Sequence, residues 1–234
     1  HSDHSDHSDH SDHSDHSDHS DHSDHSDHSD HSDHSDHSDH SDHDHDHDHD
    51  HDHDHDHDHD HDHDAHIWLD PVNALEIARV MAQSLTEIYP QHQARVQENL
   101  QAFETQIQAL DQKIAEQLAP VQTKGFFVFH DAYGHFVSHY GLNQLGYFTL
   151  DPARQPGARH LAAIRKQLED AQAVCVFSEP QFTPAVVESV SRGTTVRKGE
   201  LDPLARDIPT QPGAYALFLQ DLSQRFLDCL QDEI

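Results

Sequence analysis

No apolar residue occurs before Ala65. Residues 1–64 contain only His, Ser and Asp: His-Ser-Asp recurs from His1 to Asp42, and His-Asp from His43 to Asp64. Ordering a chain costs about 1–2 kcal/mol per residue in backbone entropy, and burial of apolar surface is the main term that offsets it. A segment with nothing to bury has no route to a packed core, so residues 1–64 are expected to be disordered without metal. Any fold must come from residues 65–234. About 170 residues suffice for one good core and part of a second.

The repeat still has a chemistry. It holds 25 of the 31 histidines and 25 of the 45 acidic residues, with no Lys or Arg. Neutral imidazoles beside carboxylates suit Zn²⁺, and also Cu²⁺ and Ni²⁺. The expectation is many overlapping, low-affinity metal sites, represented by His1, His22, His43, His45 and His63. Such sites empty as imidazoles protonate near pH 6.5 and below, where protons compete with metal. A solubilising expansion without function is the alternative.

Residues 65–234 are about 45% apolar, an ordinary globular value. They carry 13 basic and 20 acidic side chains, which leaves no basic face for nucleic acid. They hold no run of about 18 apolar residues, as a spanning helix would need. No signal peptide is visible, and a chain starting inside a repeat says nothing about export.

Pro71 suits a first helical position, with Asp70 as N-cap. Leu75, Ala78, Met81, Leu85 and Ile88 then follow at spacings of three and four, predicting an amphipathic helix that ends near Pro90. Val96, Leu100, Phe103, Ile107, Leu110, Ile114 and Leu118 predict a second helix over about 91–118. At 1.5 Å per residue it is roughly 40 Å long, suited to a coiled coil or a brace across two lobes.

Beyond Pro120 the pattern changes. Gly125-Phe126-Phe127-Val128-Phe129 reads as a buried parallel strand. Further strands are expected at 147–150, 173–178 and 194–201, with helices at 158–171, from Thr183-Pro184 to Gly193, and at 213–231. The alternation implies an α/β fold around a parallel sheet. Ligands of such sheets bind beyond the carboxyl ends of the strands, which places His130, Glu179 and Asp202 toward one edge.

His66 follows the repeat but lies beside Ile67 and Trp68, so it is the first histidine that a fold can hold in place. His66 and His130 are the metal-ligand candidates, 64 positions apart and able to meet only through tertiary folding. Asp202 is a weaker oxygen-ligand candidate, since Leu-Asp-Pro is also turn chemistry. Glu179, before Pro180, reads as structural. His135 and His139 share a helical face but lack a third ligand, so solvent exposure is expected for them. Cys175 and Cys229 are not a CxxC pair; a disulfide and two buried thiols both remain open. No HExxH, GxSxG or Gly-rich phosphate loop occurs, so nothing supports an enzyme.

The stretches HIWLDP, FHDAYGHF, QPGARHLAAIRKQL, VCVFSEPQFTPAVVESV and ELDPLA, in this order, resemble the zinc-binding solute-binding proteins of bacterial high-affinity zinc ABC transporters. A His/Asp-rich run before the first motif is typical of those zinc members. The resemblance covers about residues 65–234. It implies a monomeric periplasmic protein that binds Zn²⁺ in a cleft between two α/β lobes and delivers it to a membrane permease. It implies a metal-binding segment at 1–64, a remnant of a first lobe at 65–90, a linking helix at 91–120 and a C-terminal α/β lobe at 121–234. By the same resemblance His66 and His130 are zinc ligands, and Asp202 matches an acidic position that binds metal in some members. Cys175 and Cys229 match a disulfide pair, and His135 replaces a usual aromatic. Most of the first lobe, with a further histidine ligand, is not in this sequence. The manganese- or iron-binding relatives, and a histidine-rich storage protein, are the alternatives.

Overall fold

The computed structural model describes residues 64–170, 172–182 and 185–232. The expectations for the repeat, for Ala171 and for a Thr183-Pro184 cap fall outside these residues.

A single 3-10 turn, Ile67–Leu69, leads into α1 (Pro71–Ile88). Asp70 caps α1 as expected, accepting the Val72 N–H at 2.8 Å, and Pro71 occupies the first position. The next helix, α2 (Gln93–Leu118), follows a 3-10 turn at Pro90–His92. Its 26 residues span about 39 Å. Asp70→Ala should lower stability by about 1 kcal/mol, read as a fall of roughly 2–4 °C in thermal midpoint.

Four strands follow: β1 (Gly125–His130), β2 (Asn143–Thr149), β3 (Cys175–Ser178) and β4 (Arg197–Glu200). They form one parallel sheet in the order β2-β1-β3-β4. The crossovers carry α3 (Gly134–Tyr140), α4 (Ala158–Glu169) and α5 (Ala185–Ser191), and α6 (Ala214–Leu230) closes the chain. The expected α/β class holds. Among the described residues no helix is long and apolar enough to cross a membrane.

The run Phe126–Phe129 is apolar throughout because both faces of β1 are covered. Phe126 and Val128 point into one core with Cys175, Phe177, Leu201 and residues of α2, α3 and α6. Phe127 and Phe129 point into the other, with Val176, Phe148 and residues of α4 and α5. Phe226 of α6 centres the first core, stacked on Phe136 at 5.0 Å and edge-on to Phe126 at 5.5 Å. Close packing also explains Gly199: a Cβ there would lie 2.8 Å from the Phe177 ring.

Three differences from the sequence expectations are instructive. β2 begins at Asn143 rather than 147, because its ladder to Gly125 and Phe126 is made by backbone and needs no apolar side chain. β4 is shorter than expected and alternates in burial, as an edge strand does. The α1 stripe is real, but it is only partly covered: Leu75 is buried while Met81 is 59% and Ile88 65% exposed.

Candidate functional site

The order β2-β1-β3-β4 changes direction between β1 and β3, and such a switch point opens a crevice at the strands' carboxyl ends. Val128 pairs with Phe177 in parallel register. Two residues further along each chain stand His130 and Glu179. Their side chains meet there, with His130 Nδ1 3.4 Å from Glu179 Oε2. Glu179 is only 3% exposed, and this oxygen has no hydrogen bond among the described residues.

His66 reaches the same crevice from the other end of the chain. Leu69 is fully buried in the core shared with α2, α3 and α6. Trp68 Nε1 donates to Pro203 O at 2.9 Å, and Tyr215 Oη donates to Trp68 O at 2.7 Å. These contacts fasten the 66–70 segment to the body that carries His130. The two imidazole centroids are 5.2 Å apart, inclined at 77°. Residues 64 positions apart in sequence are thus brought together as expected.

Each ring also has a carboxylate at Nδ1. For His66 it is Asp64, whose Oδ1 lies 2.7 Å from Nδ1 and also accepts the His66 backbone N–H at 3.1 Å. For His130 it is Glu179. Neither Nε2 has a hydrogen-bond partner among the described residues. Carboxylate at one nitrogen with the other left as donor atom is the usual arrangement for a metal-ligating histidine. Two imidazoles on one tetrahedral Zn²⁺, with Zn–N distances of about 2.0–2.1 Å, place their centroids about 5 Å apart. The observed separation fits. Among the described residues no third His, Cys, Asp or Glu completes a metal-ready group with them.

Asp202 lies close by but is otherwise engaged. Its Oδ1 accepts Gln181 Nε2 at 2.8 Å and Leu204 N–H at 3.0 Å, and its Oδ2 accepts Arg206 N–H at 2.7 Å. Desolvation alone would raise its pKa. The hydrogen bonds from Gln181, Leu204 and Arg206, with the Arg206 charge, outweigh that and hold it below the ordinary carboxylate value. The turn is therefore stabilised at neutral pH, and loses that support only as pH falls through the lowered value. Tyr133 lies between the acids: burial, then the Glu179 charge and hydrogen bond, then the Asp202 charge push its phenol well above the ordinary value.

Glu179 is buried beside His130, a contact that its position at the end of β3 signals. One expectation needs correction. His135 and His139 are not solvent-exposed. His135 Nε2 donates to Asp64 O at 2.9 Å. His139 joins α3 to Asp111 of α2 at 2.7 Å, with Asp70 3.5 Å from its other nitrogen. The ring nitrogens face different carboxylates, so this cluster is a strut and not a second metal site. Cys175 and Cys229 are joined as the resemblance implied, with Cα atoms 6.0 Å apart.

Comparison with known proteins identifies the family. The family model described as "ZnuA: Zinc-uptake complex component A periplasmic" matches residues 5–229. A high-affinity zinc uptake system protein ZnuA of Yersinia pestis is 48% identical over 166 residues, which is 71% of this chain and 52% of that protein. The corresponding protein of Haemophilus influenzae is 42% identical over 165 residues, 70% of this chain and 49% of its own length. Among solved structures, a crystal structure of ZnuA aligns with a TM-score of 0.63 at 26% identity, covering 72% of this chain and 60% of that one. The AdcAII protein of Streptococcus pneumoniae aligns at 0.61 with 29% identity, covering 72% and 63%. The chain spans about half the length of the curated relatives it matches. With the family model matching most of the chain and these relatives 42–48% identical to it, the chain belongs to the family of periplasmic zinc-uptake component A proteins.

Proposed function

We propose that this chain is the zinc-capturing part of a periplasmic solute-binding protein that hands Zn²⁺ to the permease of an ABC importer, and that it works by binding and not by catalysis. One observation carries the reading: two imidazoles at 5.2 Å, each with a carboxylate at Nδ1. Zn²⁺ is the cargo. His66 and His130 hold it through Nε2, and a histidine from a first lobe completes a near-tetrahedral shell. Two neutral nitrogen ligands favour Zn²⁺ over Mn²⁺, which prefers carboxylate and water oxygens. Asp202 braces the 202–206 turn, and would ligate only after giving up those hydrogen bonds. Residues 1–64 act as a loose collector that raises Zn²⁺ concentration near the cleft. In this reading the protein is monomeric, residues 65–90 belong to the first lobe, 91–120 link the lobes, and 121–234 form the second lobe.

Competitive titration against a chromogenic chelator tests this. The chain should hold one Zn²⁺ at the His66–His130 pair more tightly than the several it holds loosely, and excess Mn²⁺ should not displace that tighter ion. Deleting residues 1–63 should abolish the loose class and spare the tight one. Equal competition by Mn²⁺ would overturn the zinc assignment, and an unchanged loose class would overturn the collector.

A further inference from the structure

The last residue of the repeat differs in surroundings from anything the repeat itself predicts. From His43 to Asp64, His and Asp alternate; Ala65 breaks the alternation and sets His66 two positions beyond Asp64. At that spacing a carboxylate can close an Asx-type turn onto the residue two ahead. Asp64 Oδ1 does so twice, accepting both the backbone N–H and the ring Nδ1–H of His66. The Asp64 backbone is held in turn. His135, on α3, donates from Nε2 to its carbonyl at 2.9 Å, and the same nitrogen is 3.8 Å from Oδ2. Asp64, His66 and His135 are each half-buried.

We propose that Asp64 and His135 are a positioning pair that locks His66 in the Nδ1–H tautomer, leaving Nε2 as the ligating nitrogen. The pair belongs to the site and not to the loose collector, so the collector ends at His63. A carboxylate fixed behind a ligand imidazole selects its tautomer, limits its rotation and raises the basicity of the opposite nitrogen. An isolated neutral imidazole has no such constraint. The anchor matters because Asp64 is preceded by residues with no apolar group to pin them; without His135 its carboxylate has only its own short turn to hold it.

This rests on His66 being a zinc ligand, but it is testable without zinc. In the chelator-treated full chain at about pH 8, where imidazoles are ordinarily neutral, long-range ¹H–¹⁵N spectra report which ring nitrogen carries hydrogen. The His66 signals are identified by their loss in His66→Asn. They should show hydrogen on Nδ1 and a bare Nε2. Asp64→Ala should shift His66 toward the Nε2–H form and weaken tight zinc binding about 10- to 100-fold. Asp64→Asn keeps an Oδ1 acceptor and should restore the tautomer and most of the affinity. His135→Phe should produce a smaller, several-fold loss. An Nε2–H tautomer in the parent chain, or no change in Asp64→Ala, would overturn the proposal. An unchanged affinity in His135→Phe would overturn the anchoring role. The expected tautomer without tight zinc binding would instead sink the functional reading.

Discussion

Glutamine at position 130 is expected to weaken tight zinc binding about 100-fold while leaving the fold intact. A protein zinc site contributes about 10–16 kcal/mol over four ligands, so one ligand is worth roughly 3 kcal/mol, or about two decades. Glutamine is a better choice than alanine because of Glu179. That carboxylate is buried, and His130 Nδ1 lies 3.4 Å from its Oε2. Alanine would remove the one imidazole beside that buried acid and open a gap next to it, a perturbation that has nothing to do with zinc. A glutamine amide can donate to Glu179 but is a poor ligand for a borderline-soft ion. Pairing it with His66→Ala should bring the loss to about 10⁴-fold. The thermal midpoint of His130→Gln should move little, since His130 is outside both cores. Chelator competition on the two variants, with a melt on each, checks this. Retained tight binding in the double variant would show that the metal sits elsewhere.

Much of this arrangement was legible in the sequence. A run such as Phe126–Phe129 can be wholly apolar only if both faces of its strand are covered, and strand–helix alternation then dictates where a ligand binds. That logic places His130, Glu179 and Asp202 toward one edge of the sheet. It did not rank them. Local context makes Glu179 look structural because Pro180 follows it, yet the β1–β3 register sets it two residues past Phe177, just as His130 stands two residues past Phe177's partner Val128. Register is a tertiary fact, absent from either strand alone. Asp202 failed to join the histidines for the opposite reason: its turn chemistry, visible as Leu-Asp-Pro, consumes both oxygens. The contacts of His135 and His139 are not legible in the sequence because their partners, Asp64 and Asp111, are distant along the chain. The α1 stripe shows a further limit. Periodicity reveals that a face is apolar, and Met81 and Ile88 show that it does not reveal what covers it.

The second large effect concerns the cross-link between β3 and α6. Replacing Cys175 and Cys229 together by serine is expected to cost about 4 kcal/mol. The bond closes a segment with a sequence separation of 54, and loop-closure entropy for that length gives about this value. For a domain of this size the loss appears as a fall of roughly 8–16 °C in thermal midpoint. The double substitution avoids leaving one thiol free to pair between molecules. Zinc affinity measured well below the new midpoint should stay within a few-fold of the parent. β3 is held by β1 on one side and β4 on the other, and Glu179 lies beyond its far end from Cys175. The bond should therefore act on the unfolded chain and not on the crevice. Reduction of the parent chain should reproduce the same destabilisation, which ties full stability to an oxidising compartment. A melt unchanged by both treatments would mean that the aromatic packing around Phe226 alone sets the stability of this face. A zinc affinity that fell with the melt, in protein still folded, would mean that α6 holds the crevice in shape through the bond.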